Sequence, residues 1–235
     1  MKELILAINF KAYPSAFGSK ALEVVKAGEK VAREYRGVVR VILVPPYTEL
    51  ARAIELVEDA VIYAQHVDPV EPGAHTGSIP AEALVELGVR GSLVNHSERR
   101  LRLSDIEFVV ERLKRLNLEQ LVCADTPRAA AAVALFRPTF VAVEPPELIG
   151  TGIAVSRAKP EVVTGSVSMV SKLAPDVPVL VGAGIVSGED ARRSVELGAV
   201  GVLVASAVMK AGDPYAKMRE LAEGLASARF KGREG

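Results

Sequence analysis

Short apolar runs rich in β-branched residues alternate along the chain with longer stretches whose apolar positions return every three or four residues. The short runs are Leu4–Asn9, Arg40–Val44, Ala60–Gln65, Gly91–Asn95, Gln120–Ala124, Phe140–Glu144, Pro178–Gly182 and Gly201–Ala205. Their near-continuous apolar character predicts strands buried on both faces of a parallel sheet. The longer stretches predict amphipathic helices over Ser19–Tyr35, Tyr47–Val57, Pro80–Leu87, Asp105–Leu116, Pro127–Phe136, Arg157–Leu173, Gly188–Leu197 and Pro214–Ala228. Ser104-Asp105, Thr126-Pro127 and Asp213-Pro214 place a capping side chain before a first turn. Gly88 and Gly198 suit helix C-termini. Eight strand–helix units in one undivided chain predict an α/β fold of a single domain, a closed (β/α)8 barrel. A doubly wound open sheet has the same alternation, so the pattern alone leaves closure open. In either architecture a ligand sits at the carboxyl ends of the strands, which directs attention to the residues ending each run.

Chemistry collects at those ends. The first run closes with Asn9-Phe10-Lys11, whose alternation puts Asn9 and Lys11 on one face. The fourth is followed by Asn95-His96-Ser97-Glu98-Arg99-Arg100, six polar or charged residues after a buried strand. If residues 97–100 open a short helix, its dipole disfavours the imidazolium form of His96, leaving a neutral ring that donates from N–H to a carbonyl oxygen. The sixth run ends at Glu144, a carboxylate at the rim of an apolar interior, where burial can raise its proton affinity toward that of a useful base. Pro145 and Pro146 stiffen the next residues, and Gly150-Thr151-Gly152 loosen the chain again. A rigid hinge, a mobile tip and a base at the root have the layout of an active-site lid, here about Pro145 to Ala154. The seventh and eighth runs lead into Gly182-Ala183-Gly184 and Ala205-Ser206. There the glycines let backbone approach a ligand, and a helical turn starting at Ala205-Ser206 offers free N–H groups to a phosphate.

Composition narrows the function classes. Lysine plus arginine equals aspartate plus glutamate at 29 each, which argues against a nucleic-acid partner. No apolar run approaches the ~18 residues of a membrane span. The N-terminal run lacks the length and cleavage site of a signal peptide, and the one cysteine, Cys123, cannot form an internal disulfide. A cytoplasmic protein is expected. Cys123, His66 and His75 have no ligand spacing, so no metal site is expected. Asparagine at only three positions and glutamine at two fit a heat-adapted source, and equally a drift in genome composition.

Taken together these stretches resemble the triosephosphate isomerase family over nearly the whole chain. Asn9-Phe10-Lys11 resembles its first motif, and residues 95–100 its histidine motif, usually G-H-S-E-R-R, with Asn95 as a departure. Residues 143–152, VEPPELIGTG, resemble its base-plus-lid segment, with Pro146 and Glu147 in place of valine and tryptophan. Two further departures, Val181-Gly182-Ala183-Gly184-Ile185 for the usual Y-G-G-S-V and Ala205-Ser206 for Gly-Gly, resemble the compact archaeal branch. The resemblance implies a TIM barrel and an enzyme of glycolysis and gluconeogenesis that interconverts dihydroxyacetone phosphate and D-glyceraldehyde 3-phosphate, with no cofactor. It implies Glu144 as base, His96 as electrophile, Lys11 and Asn9 as catalytic and substrate-binding groups, and Ile149, Gly150, Gly184, Ala205 and Ser206 as substrate contacts. Glu98 is implied as a support that orients Lys11 or holds its motif together.

The segment Gln65–Gly77 is long for a βα loop and too polar to pack a core of its own. The resemblance implies that it carries Thr76 into a neighbouring subunit, as a further support, giving a homodimer and, in the archaeal branch, a tetramer. Other phosphosugar isomerase or epimerase barrels bind phosphate after strands seven and eight but do not combine Asn9, Lys11, His96 and Glu144. A non-catalytic phosphometabolite-binding barrel would need neither Glu144 nor His96.

Overall fold

In the computed structural model, which describes residues 3–148 and 154–231, eight parallel strands close into a barrel in sequence order. They are β1 (Leu4–Asn9), β2 (Val39–Val44), β3 (Val61–Ala64), β4 (Gly91–Val94), β5 (Glu119–Ala124), β6 (Phe140–Val143), β7 (Val179–Val181) and β8 (Gly201–Val204). β1 pairs with β2, Asn9 opposite Val44, and also with β8, Ile8 opposite Val204. An open sheet lacks that last pairing, so the doubly wound alternative is set aside.

The two-residue period of each strand divides the core into two layers. Ile5, Ala7, Ile42, Val44, Tyr63, Leu93, Leu121, Cys123, Phe140, Ala142, Leu180 and Leu203 fill the barrel interior. The alternate residues, among them Leu6, Ile8, Val41, Leu43, Val122, Val141 and Val181, pack outward against the helices. Each such aliphatic side chain contributes about 1.5–3 kcal/mol by leaving water. Carrying the inward parity to the top of each strand lands on Asn9, Asn95, Glu144, Gly182 and Ala205. The polar residues at the strand ends are therefore the last rungs of the same inward-facing ladders as the core.

The opposite end is closed by a charged plug. Glu119 at the start of β5 accepts from Arg40 (2.7 Å), from Arg90 Nε (3.2 Å) and from the Tyr63 hydroxyl. Burial alone pushes the Glu119 carboxyl up, but Arg40 and Tyr63 more than offset it and hold it below the usual carboxylate range. Burial, and then the Glu119 charge, raise the Tyr63 phenol well above its ordinary value. With every group partnered, this end is a floor.

Ten helices surround the described barrel: α1 (Gly18–Glu34), α2 (Leu50–Ile54), α3 (Ala81–Leu87), α4 (Leu103–Arg115), α5 (Pro127–Ala134), α6 (Val155–Ala158), α7 (Pro160–Leu173), α8 (Gly188–Glu196), α9 (Ser206–Met209) and α10 (Pro214–Lys231). Thr126 caps α5 through Ala129 N–H (3.1 Å), and Asp213 accepts from Ala216 N–H (3.0 Å), as expected. Ser104 does not cap α4. Asp105 and Ile106 both donate to Arg102 O at 3.0 Å, so the helix starts at Leu103 and the serine lies in its first turn. The helix expected at 47–57 is a 3-10 turn, Tyr47–Glu49, followed by the short α2. It stops because Glu29 Oε2 on α1 accepts the backbone N–H groups of Glu58, Asp59 and Ala60 (3.1, 3.0 and 2.9 Å), which turns the chain into β3. The helix expected at 157–173 is broken before Pro160, whose ring cannot continue α6 but suits the first turn of α7. Among the described residues no helix is long and apolar enough to cross a membrane.

Candidate active site

At the carboxyl ends of the strands a cleft of about 260 Å³ is lined by Asn9, Lys11, His96, Glu98, Glu144, Gly184, Ala205 and Ser206. Eight of the residues singled out in the sequence thus meet in one place, delivered by β1, β4, β6, β7 and β8.

Lys11 stands two residues past the strand in the left-handed region, φ +49°. For a side chain other than glycine that conformation costs about 1 kcal/mol. Local bonds hold it: Lys11 N–H donates to Asn9 Oδ1 (2.9 Å), and Gln65 Nε2 at the end of β3 donates to Lys11 O (2.9 Å). Its Nζ is paired with Glu98 at 2.9 Å. The alternation that puts Asn9 and Lys11 on one face therefore ends at Asn9, and a backbone turn brings the lysine into the cleft.

His96 is buried, and the residues after it form a turn rather than the expected helix, with Arg99 N–H donating to His96 O (2.8 Å). Residues 97–100 therefore supply no helix N-terminus to the ring. A backbone group contacts the ring instead: Glu98 N–H donates to His96 Nδ1 (3.2 Å). Nδ1 is then an acceptor, and the proton of the neutral ring lies on Nε2. Nε2 stands 3.6 Å from Glu144 Oε2.

Glu144 is positioned by the barrel ladder. Its N–H donates to Ala124 O (2.8 Å), and Gly182 N–H donates to Val143 O just before it (2.9 Å). The carboxylate lies beside Gly182, where a Cβ would stand 2.7 Å from Oε1 and 2.8 Å from Cδ. Gly182 thus makes room for Glu144 instead of bringing backbone to a ligand, as expected from the sequence. The buried thiol of Cys123 on β5 lies beside the same carboxylate. Burial first, and the Glu144 charge next, raise its thiol well above the ordinary range, so it stays protonated. Glu144 Oε2 is buried with no hydrogen-bond partner. A buried carboxylate oxygen without a partner is costly, and within a polar cleft a chemical role accounts for it.

At the other end of the cleft Ala183 and Gly184 are both left-handed, φ +71° and +72°. Ala183 O accepts from Val155 N–H (3.3 Å), which joins this loop to the start of α6. Ala205 O accepts from Val208 and Met209 N–H (3.1 and 3.0 Å), so the turn expected at Ala205-Ser206 forms. Ile149 and Gly150 lie outside the described residues. At the root of that segment Glu147 is ion-paired with Lys159, which holds the Glu147 carboxyl below its usual range.

Thr76 is not brought to this cleft within the chain. It lies on the exposed stretch 71–77, whose base is tied by Asp68 through Ile79 N–H (2.8 Å). A second cavity of about 380 Å³ adjoins the first and shares Asn9, Lys11, His96 and Glu98, adding Tyr47, Gln65, His66 and Arg99. Tyr13, which lines the first cleft, and Gln65 were not singled out in the sequence. For Gln65 the rarity of glutamine, at a strand end, was the available signal. Among the described residues no three metal-ligating side chains come together.

The chain is similar to proteins of known family. The family described as triosephosphate isomerase matches residues 4–223. Relatives named triosephosphate isomerase include one from Caldivirga maquilingensis, 48% identical over 96% of this chain and 99% of the relative. One from Methanocaldococcus jannaschii is 46% identical over 93% of this chain and 98% of its own length. One from Archaeoglobus fulgidus is 50% identical over 92% and 96%.

Proposed function

The chain belongs to the triosephosphate isomerase family, and on that premise we propose that Glu144 and His96 interconvert dihydroxyacetone phosphate and D-glyceraldehyde 3-phosphate through an enediolate. The division of labour between a glutamate base and a neutral histidine is the family's own worked-out mechanism. Particular to this chain is how its residues are held for it. The observation that carries the reading is the partnerless, buried Oε2 of Glu144, 3.6 Å from His96 Nε2.

Glu144 Oε2 removes the proton from the substrate carbon next to the carbonyl. The tautomer imposed by Glu98 N–H leaves His96 Nε2–H to polarise that carbonyl and to pass protons between the two oxygens. Lys11, held at the cleft by Asn9, Gln65 and Glu98, places its ammonium where the enediolate charge develops. Gly184, Ala205 and Ser206 take the phosphate, and the segment with Ile149 and Gly150 covers the intermediate and excludes water. The reaction moves protons only, and the cleft supplies a base, a proton donor and a cation. The proposal therefore calls for no metal or organic cofactor.

The assembly proposed is a two-fold dimer in which the exposed stretch 71–77 of one subunit enters the second cavity of its partner, with Thr76 supporting Asn9 and Lys11. Two dimers then pair into a tetramer, as the archaeal resemblance implies. The test of the chemistry is a coupled assay with glyceraldehyde 3-phosphate on the parent and on Glu144→Asp. Shortening the side chain by one methylene withdraws the base, and turnover should fall by about 10²-fold while a phosphate analogue still binds. Near-normal turnover in Glu144→Asp would remove Glu144 from the base role.

A further inference from the structure

The family's histidine motif usually begins with glycine, and this chain has Asn95 there. Its backbone explains half of the choice. Asn95 sits at φ +59°, a left-handed conformation that glycine adopts freely and asparagine tolerates better than most residues. Glycine would satisfy the backbone alone, so the side chain requires a separate account.

That side chain is buried and bonded at both of its polar atoms. Nδ2 donates to Cys123 O on β5 (3.0 Å). Oδ1 accepts from Leu101 N–H (2.9 Å). The two partners fix which way the amide points, because a carbonyl can only accept and an N–H can only donate. Asn95 opens the polar turn and Leu101 follows its last residue, so the second bond ties the two ends of the turn together. The first anchors that closed turn to β5, at the residue whose buried thiol lies beside Glu144. Inside the ring so formed, Arg99 N–H donates to His96 O and Glu98 N–H to His96 Nδ1. Arg99 and Arg100 also reach outward, to Asp68 (3.3 Å) and Asp125 (2.5 Å), but those pairs are partly exposed and screened by solvent. Of the Asn95 bonds, the one to Cys123 O is buried and the one to Leu101 N–H partly so, and water competes poorly there.

We infer that Asn95 is a positioning residue for this reaction. It closes and anchors the 96–100 turn, holding His96 in one tautomer against Glu144 and holding Glu98 against Lys11. The inference rests on the roles proposed above for His96 and Glu144.

Asn95→Gly tests it, because glycine accepts φ +59° without steric strain and removes the two side-chain bonds. The turnover number should fall roughly tenfold, as expected for a slight misplacement of a catalytic group. KM should stay within about twofold, since the phosphate contacts lie elsewhere. The nitrogen-15 shifts of the His96 ring, which in the parent should report a proton on Nε2, should move toward an average of the two tautomers. Unchanged turnover would overturn the inference. So would reduced turnover with the parent's ring signature intact, because the loss would then not pass through His96. Parent activity in the same assay tests the proposed function separately, and the ring signature is read without turnover.

Discussion

Replacing Gly182 by alanine puts a methyl group 2.7 Å from Glu144 Oε1 and 2.8 Å from Cδ, where ordinary contact begins at 3.4 Å. The tightest contact is with Glu144 Cγ at 2.4 Å, so the side chain must give way by about 1.0 Å to reach ordinary contact. The backbone does not share the strain, because Gly182 is not among the residues at positive φ, and alanine suits an ordinary backbone conformation. Gly182 N–H also remains bonded to Val143 O, so the end of β7 has reason to stay put. The displacement therefore falls on the base. A misplacement near 1 Å is worth about 10²-fold in rate, or about 2.7 kcal/mol of transition-state stabilisation. Overpacking adds about 1–3 kcal/mol of lost stability. The coupled assay should show the turnover number down by about two orders of magnitude, with phosphate-analogue affinity close to the parent's. The double variant Gly182→Ala/Glu144→Asp supplies an internal check. Aspartate keeps a carbon at the γ position, 2.4 Å from the added methyl, so the clash persists, but the base is already withdrawn and the two losses should be sub-additive. Parent-like turnover in a folded Gly182→Ala protein would refute the claim that Gly182 sets the position of the carboxylate.

Three other outcomes are expected. His96→Gln should lower turnover by about 10²–10⁴-fold and leave phosphate-analogue affinity largely intact; an equal loss of both would move His96 to the phosphate end. Deleting residues 71–77 should give a monomer of much reduced activity by sedimentation and assay, and a fully active monomer or an unchanged oligomer would contradict the proposed interface. The Glu119 carboxyl is held below its ordinary value near 4.5, so its stabilisation is present above that value and is lost as pH falls through the folded one. Glu119→Gln should melt lower than the parent at neutral pH and lose less stability on acidification below about pH 4.5, and parallel melting curves across that range would show that Glu119 is not the group involved.

Much of the fold was legible because its signals are local. A two-residue period in the short runs and a three-to-four-residue period between them are properties of neighbouring residues, and β1 appeared with the bounds expected, Leu4–Asn9. The same parity carried Asn9 and Glu144 to the inner ends of their strands, and the motifs resembling the family supplied their roles. Closure was a different matter, because it depends on β1 pairing with β8, two segments almost the whole chain apart. Element ends also depended on distant groups: Glu29 on α1 stops α2 by taking the N–H groups of residues 58–60. At the site, the sequence marked His96 but offered a short helix at 97–100 to follow it. Only the tertiary structure revealed a turn whose Glu98 N–H selects the tautomer, and an Asn95 side chain that closes the turn and anchors it to β5. Gly182 read as a place for a ligand until β6 and β7 were set side by side and the space proved to hold Glu144. The residues that hold the site come from neighbouring strands separated by many residues in the chain, and no periodicity along the sequence records which side chains the barrel's register sets against one another.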